Sequence, residues 1–147
     1  MENIERNKWQ SNWLMFLGVL LFLFGLIIGL FVPMMANPRM GLTAHLEGVM
    51  NGMFLVILGL IWNKLFINDK WLSITFWLTL YGSFANFSAV IIAAISGAGK
   101  LMPIAGGKEG TTFIEGLISF LLITLSLAMI FICIVVLLGL YRNLKRT

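Results

Sequence analysis

Four long, predominantly apolar runs, each at least about 20 residues long, set the limits on what this chain can become, because that is the length a helix needs to cross a bilayer. They lie at about 12–33, 42–66, 72–96 and 112–140. Inside lipid every backbone N–H and C=O must be paired within the segment or within a closed barrel. None of the runs alternates polar with apolar residues, so barrel strands do not fit and helices do. Composition agrees: 60% of the 147 residues are hydrophobic and 11% charged, with a mean hydropathy of +0.99. A water-soluble domain this small keeps far more charge on its surface. The expected fold is all-α, an integral membrane four-helix bundle forming a single transmembrane domain over 1–147.

Connectors and charges predict the topology. Pro33 ends the first run, and Asn37-Pro38 marks a turn before the second. Asn68-Asp69-Lys70 is a tight polar turn that makes the middle two helices antiparallel neighbours. The longest connector, Gly97–Thr112, is glycine-rich and holds Pro103; long connectors in compact chains are often functional. Arg6, Lys8, Lys64, Lys70, Arg142, Lys145 and Arg146 fall on one side, against Arg39, Lys100 and Lys108 on the other. The positive-inside rule then puts both termini in the cytoplasm, and the expected location is the inner (plasma) membrane, crossed several times. Trp9, Trp13, Trp62, Trp71 and Trp77 lie near the same helix ends, where an indole belt is expected. The net charge of +4 reads as attraction to anionic lipid and not to nucleic acid. Glu2 and Glu5 spoil a basic leader region, and no small-residue cleavage site follows the first run, so a cleavable signal peptide is not expected. The lone Cys133 permits no internal disulfide and no Cys-based metal site, and reads as a small apolar residue.

Polar side chains within apolar runs are expensive and ask for a reason. His45, Asn51, Asn86 and Glu115 stand out, all toward the non-cytoplasmic half, with the two amides at a similar depth of roughly 15 Å. That clustering suggests one polar site. On a helical wheel Gly48, Gly52 and Gly59 fall within about 60° of His45, and Asn51 is turned about 120° away. A histidine above a glycine stripe makes a flat slot suited to a planar macrocycle such as haem. The same stripe, with Gly25 and Gly29 on the first run, equally reads as close helix packing. Asn51 and Asn86 equally read as interhelical hydrogen bonds, and Glu115 as a first-turn carboxylate favoured by the helix dipole. Hydrolase triads, HExxH zinc sites and phosphate-binding glycine loops are missing. With one histidine, a haem bound here would be five-coordinate through His45, with an open iron position.

The stretch Thr43-Ala44-His45-Leu46-Glu47-Gly48-Val49-Met50-Asn51-Gly52-Met53 resembles the styrene oxide isomerase and hydroxylaminobenzene mutase group of small four-helix membrane isomerases. Ser83-Phe84-Ala85-Asn86 is similar to that group's aromatic-Ala-Asn segment, and Gly97–Gly107 looks like the mutase branch. The resemblance implies haem b with ferric iron, held by His45 between protomers of a homotrimer; the flat slot read from the helical wheel adds Gly48 and Gly52 as residues beside it. It implies a Lewis-acid rearrangement of a small hydrophobic substrate drawn from the bilayer, either epoxide to aldehyde or aryl hydroxylamine to aminophenol. Asn51 is implied to orient the substrate oxygen; Asn86 joins the pocket on depth alone. A tyrosine expected four residues beyond Asn86 is Val90 here, with Tyr81 lying about 140° off the Asn86 face, which removes a phenol donor and counts against epoxide chemistry. The alternative expectation is a non-catalytic haem-binding, structural or transport protein of the membrane.

Overall fold

Caps in the sequence decide where each helix begins and ends. The computed structural model describes residues 2–146, and comprises α1 (Glu2–Phe31), α2 (Pro38–Ile61), α3 (Asp69–Ser96) and α4 (Thr112–Leu144), with short 3₁₀ turns between them. All four are long and apolar enough to cross a membrane. α2 starts four residues before the expected 42. Asn37 accepts the Met40 N–H as N-cap, and Pro38 occupies the first helical position, where its missing N–H costs nothing. It stops at Ile61 instead of 66, because Trp62–Lys64 tightens into a 3₁₀ turn. α1 begins at Glu2, ten residues before the expected 12, since helix continues through polar residues that the apolar run does not include. α3 is capped by Asn68 and ends on Gly97, which adopts φ +75°, a conformation glycine takes without strain.

Neighbours in sequence are neighbours in space, and α1 packs most extensively on α2. Their contact is backbone on backbone. A Cβ on Gly48 would lie 2.5 Å from the Gly25 Cα, and one on Gly52 would lie 2.6 Å from the Phe22 nitrogen. Such close approach is what small residues at facing positions permit. α3 is the most enclosed helix, while α1 and α4 turn most of their surface outward.

Two apolar clusters fill the interior. One, near the termini, joins Leu14, Leu55, Leu58, Trp62, Leu72 and Phe76; the other, toward the opposite end, joins Met40, Ala44, Val90, Ala93 and Ile118. Trp62 departs from the expected indole belt. It is fully buried and donates through Nε1 to Gln10 Oε1 at 3.1 Å, whereas Trp9, Trp13, Trp71 and Trp77 stay at the surface. Buried tryptophan needs such a partner for its N–H. At the same end Ser11 Oγ donates to the Gly59 carbonyl at 2.8 Å, and Arg6 pairs with Asp69 at 3.1 Å.

The 97–111 connector is folded down over the other end. The Lys108 N–H donates to the Gly97 carbonyl at 2.9 Å, and the Asn37 N–H to the Ala94 carbonyl at 3.0 Å. Glu115, buried in the first turn of α4, accepts from the N–H groups of Gly99, Lys100 and Gly110 at 3.2, 3.3 and 2.9 Å. It is a clamp on this loop, not a member of a polar site with His45, Asn51 and Asn86.

Candidate functional site

His45 projects from α2 toward α1. Its Nδ1 lies 2.8 Å from the Gly25 carbonyl oxygen. A carbonyl only accepts, so Nδ1 carries the proton and Nε2 keeps its lone pair. Among the described residues Nε2 has no hydrogen-bond partner. The half-buried ring lines a largely apolar groove of about 770 Å³ with Leu26, Gly29, Leu30, Pro33 and Leu42. A histidine whose Nδ1–H is anchored on a carbonyl, with Nε2 free beside an apolar surface, has a nitrogen that could serve as a ligand to a metal centre. Among the described residues no three His, Cys, Asp or Glu side chains converge. A bare metal ion therefore lacks a ligand set here, whereas a haem needs a single axial ligand from the protein.

Gly48 and Gly52 do not form the expected open slot beneath the imidazole. Both are buried, and the backbone of α1 fills the space in front of them. The glycine stripe is thus the helix–helix contact, and the groove beside His45 is walled by leucines instead.

On the α3 side of α2 lies a second set of polar groups, centred on Glu47, a residue outside the expected site. Asn51 Nδ2 donates to Glu47 Oε2 and to the Glu47 main-chain carbonyl, both at 2.9 Å. Asn86 Nδ2, from α3, donates to the same Oε2 at 2.5 Å. The two asparagines are therefore brought together, as their similar depth suggests, but around a carboxyl group. Both hydrogens of the Asn51 amide are engaged, which leaves it only a carbonyl oxygen to offer a ligand. Glu47 was legible in principle. It stands one helical turn before Asn51, and an acidic residue nine positions into a helix of this hydropathy costs ~2.5–3.5 kcal/mol if charged at the bilayer centre.

Other sequence candidates fall elsewhere. Val90, at the expected tyrosine position, is buried in the apolar cluster with Met40 and Ala44. Tyr81 does not replace that phenol, since its hydroxyl is bonded to Thr124 of α4 at 2.5 Å. Cys133 is free and faces outward from α4.

Comparison with known proteins meets this arrangement at the level of the whole chain. Residues 10–141 match the family model described as styrene oxide isomerase. The chain belongs to the styrene oxide isomerase family. Two curated relatives come from Ectopseudomonas oleovorans. Hydroxylaminobenzene mutase HabB is 52% identical over 126 residues, covering 84% of this chain and 77% of the relative. Hydroxylaminobenzene mutase HabA is 47% identical over 127 residues, covering 85% of this chain and 94% of the relative. No solved structure matches the chain. Membership of the styrene oxide isomerase family makes the protein an isomerase and sets aside the non-catalytic alternative. The matched span includes His45, Glu47, Asn51 and Asn86, so both polar groups lie within the family domain.

Proposed function

We propose that this protein is a multi-pass inner-membrane isomerase that rearranges an aryl hydroxylamine to an aminophenol, using a haem held by His45. Both termini face the cytoplasm in this reading, and the substrate enters from the bilayer. The names of the two relatives support the hydroxylamine reading. So does the aliphatic Val90 at the position where the resemblance puts a phenol for epoxide opening.

The observation that carries the haem site is the orientation of His45, with Nδ1–H on the Gly25 carbonyl and Nε2 unpartnered at an apolar groove. When bound, a ferric haem supplies a Lewis-acidic iron with an open position that polarises a substrate oxygen. The chain's own part is to hold the imidazole in one tautomer, to keep competing water from the apolar groove, and to present polar groups to the substrate. His45 and Glu47 are about 160° apart around α2 and stand toward different neighbouring helices. A ligand reaching both kinds of group is most simply enclosed between two copies of the chain, in keeping with the homotrimer that the resemblance implies.

The test is an absorption spectrum of the detergent-purified protein followed by a substrate panel. A Soret band that shifts on adding hydroxylaminobenzene, with turnover of that compound well above styrene oxide, is the expected result. A protein that stays colourless after haem addition removes the haem site, and faster turnover of styrene oxide overturns the substrate class.

A further inference from the structure

Among the described residues Glu47 is the carboxyl group farthest from either end of its helix, at the tenth residue of α2 and roughly 14 Å from its start. No cation is paired with it; among the described residues the ion pair found is Arg6–Asp69, at the termini. Its partners are two neutral amides, and both converge on a single oxygen. Asn51 Nδ2 lies 2.9 Å and Asn86 Nδ2 2.5 Å from Oε2. Among the described residues nothing bonds to Oε1.

That asymmetry has a chemical consequence. Two N–H donors occupy the lone pairs of Oε2, so a proton on this carboxyl group sits on Oε1. Among the described residues Oε1 has no other hydrogen-bond partner. The group is half-buried, at the margin of the outward strip of α2 that carries Leu46 and Met50. A half-buried carboxyl group held by neutral donors, with one oxygen unengaged, has an atom free to exchange a proton with a substrate that reaches it.

We propose that Glu47 is the proton-transferring catalytic residue of the rearrangement, and that Asn51 and Asn86 are positioning residues that hold its Oε2 and leave Oε1 for the substrate. This rests on the hydroxylamine reading above. Glu47 gives its proton to the hydroxyl oxygen as the N–O bond breaks, and the bonding pair leaves with oxygen as water. A lone pair of that oxygen forms the C–O bond at a ring carbon, and its surplus proton returns to the carboxylate. Through the same carboxyl group the ring proton at that carbon passes to nitrogen, restoring the aromatic ring. No atom is gained or lost, nitrogen is reduced by two electrons, and the ring carbon is oxidised by two.

The experiment measures turnover of hydroxylaminobenzene, KM, melting temperature and absorption spectrum on the detergent-purified full chain. Glu47→Gln keeps an acceptor for both amides but carries no transferable proton. It is expected to lower kcat by about 10²–10⁴-fold with KM, melting temperature and spectrum close to wild type. Asn86→Ala is expected to lower kcat in the wild-type background and to cause no further loss in the Glu47→Gln background. A residue that only glues helices together would act equally in both. Should Glu47→Gln lose its melting transition, Glu47→Asp decides: withdrawing the carboxyl by one methylene is expected to reduce kcat by about 10–10²-fold. Wild-type turnover by a folded Glu47→Gln or Glu47→Asp variant overturns the assignment while leaving the hydroxylamine reading intact. A wild-type protein that does not turn over hydroxylaminobenzene overturns that reading and this assignment with it.

Discussion

His45 reaches the Gly25 carbonyl because residue 29 has no side chain; a Cβ there would stand 2.7 Å from Nδ1. Gly29→Ala therefore pushes the ring off its carbonyl and releases the tautomer, without touching Nε2. Loss of such an outer partner typically costs 10–100-fold in metal affinity, so haem titration followed by absorbance is expected to show a weakening of about that size. His45→Ala is expected to remove stoichiometric haem altogether. Equal haem affinity in Gly29→Ala would mean that the Gly25 carbonyl does not orient the ligand. That His45, Asn51 and Asn86 are polar groups set within the bundle is legible in the sequence, because a polar residue in an apolar run is conspicuous by itself. Glu47 lies in the same motif, and its link to Asn86 is not legible there because Asn86 comes from another helix. Gly48 and Gly52 show the reverse failure. The wheel placed them beside His45, yet it could not say that α1 already occupies the space.

At the scale of the helices, what the sequence conveyed was the extent of oil, not the extent of helix. α4 was expected at 112–140 and starts at Thr112, because Thr111 caps it where the apolar run begins. α1 outruns its apolar stretch, since Gln10 and Ser11 find partners on Trp62 and Gly59 that fasten the polar first turns to the bundle. The α1–α2 contact yields a sharp prediction. The Cβ introduced by Gly48→Ala would meet the Gly25 Cα at 2.5 Å, and backbone has no rotamer with which to yield. Overpacking of this kind costs ~1–3 kcal/mol, so the melting temperature is expected to fall. Gly116→Ala, where nothing lies within 4 Å of the new Cβ, is expected to leave it unchanged. Equal melting of the two variants would show that α1 and α2 do not meet as closely as described.

For the whole molecule, the antiparallel order of four helices puts both termini and the 62–68 connector at one end, and the 97–111 loop at the other. Seven of the ten Lys and Arg residues lie at the termini end, which the positive-inside rule assigns to the cytoplasm. Lys70 and Lys108 are both exposed and mark the two ends. In a Cys133→Ser background, a cysteine at either position reports its side to an impermeant thiol reagent. Lys108→Cys is expected to label in intact cells, and Lys70→Cys only after lysis. The endogenous Cys133 faces outward from the C-terminal half of α4, within its apolar run, where lipid would shield it, so the wild-type chain is expected to stay unlabelled in both conditions. Labelling of Lys70→Cys without lysis would invert the orientation and place the Glu115-clamped loop in the cytoplasm. The helix packing, the His45 groove and the Glu47 carboxyl would be unaffected, because neither polar group depends on which face of the membrane it is nearer.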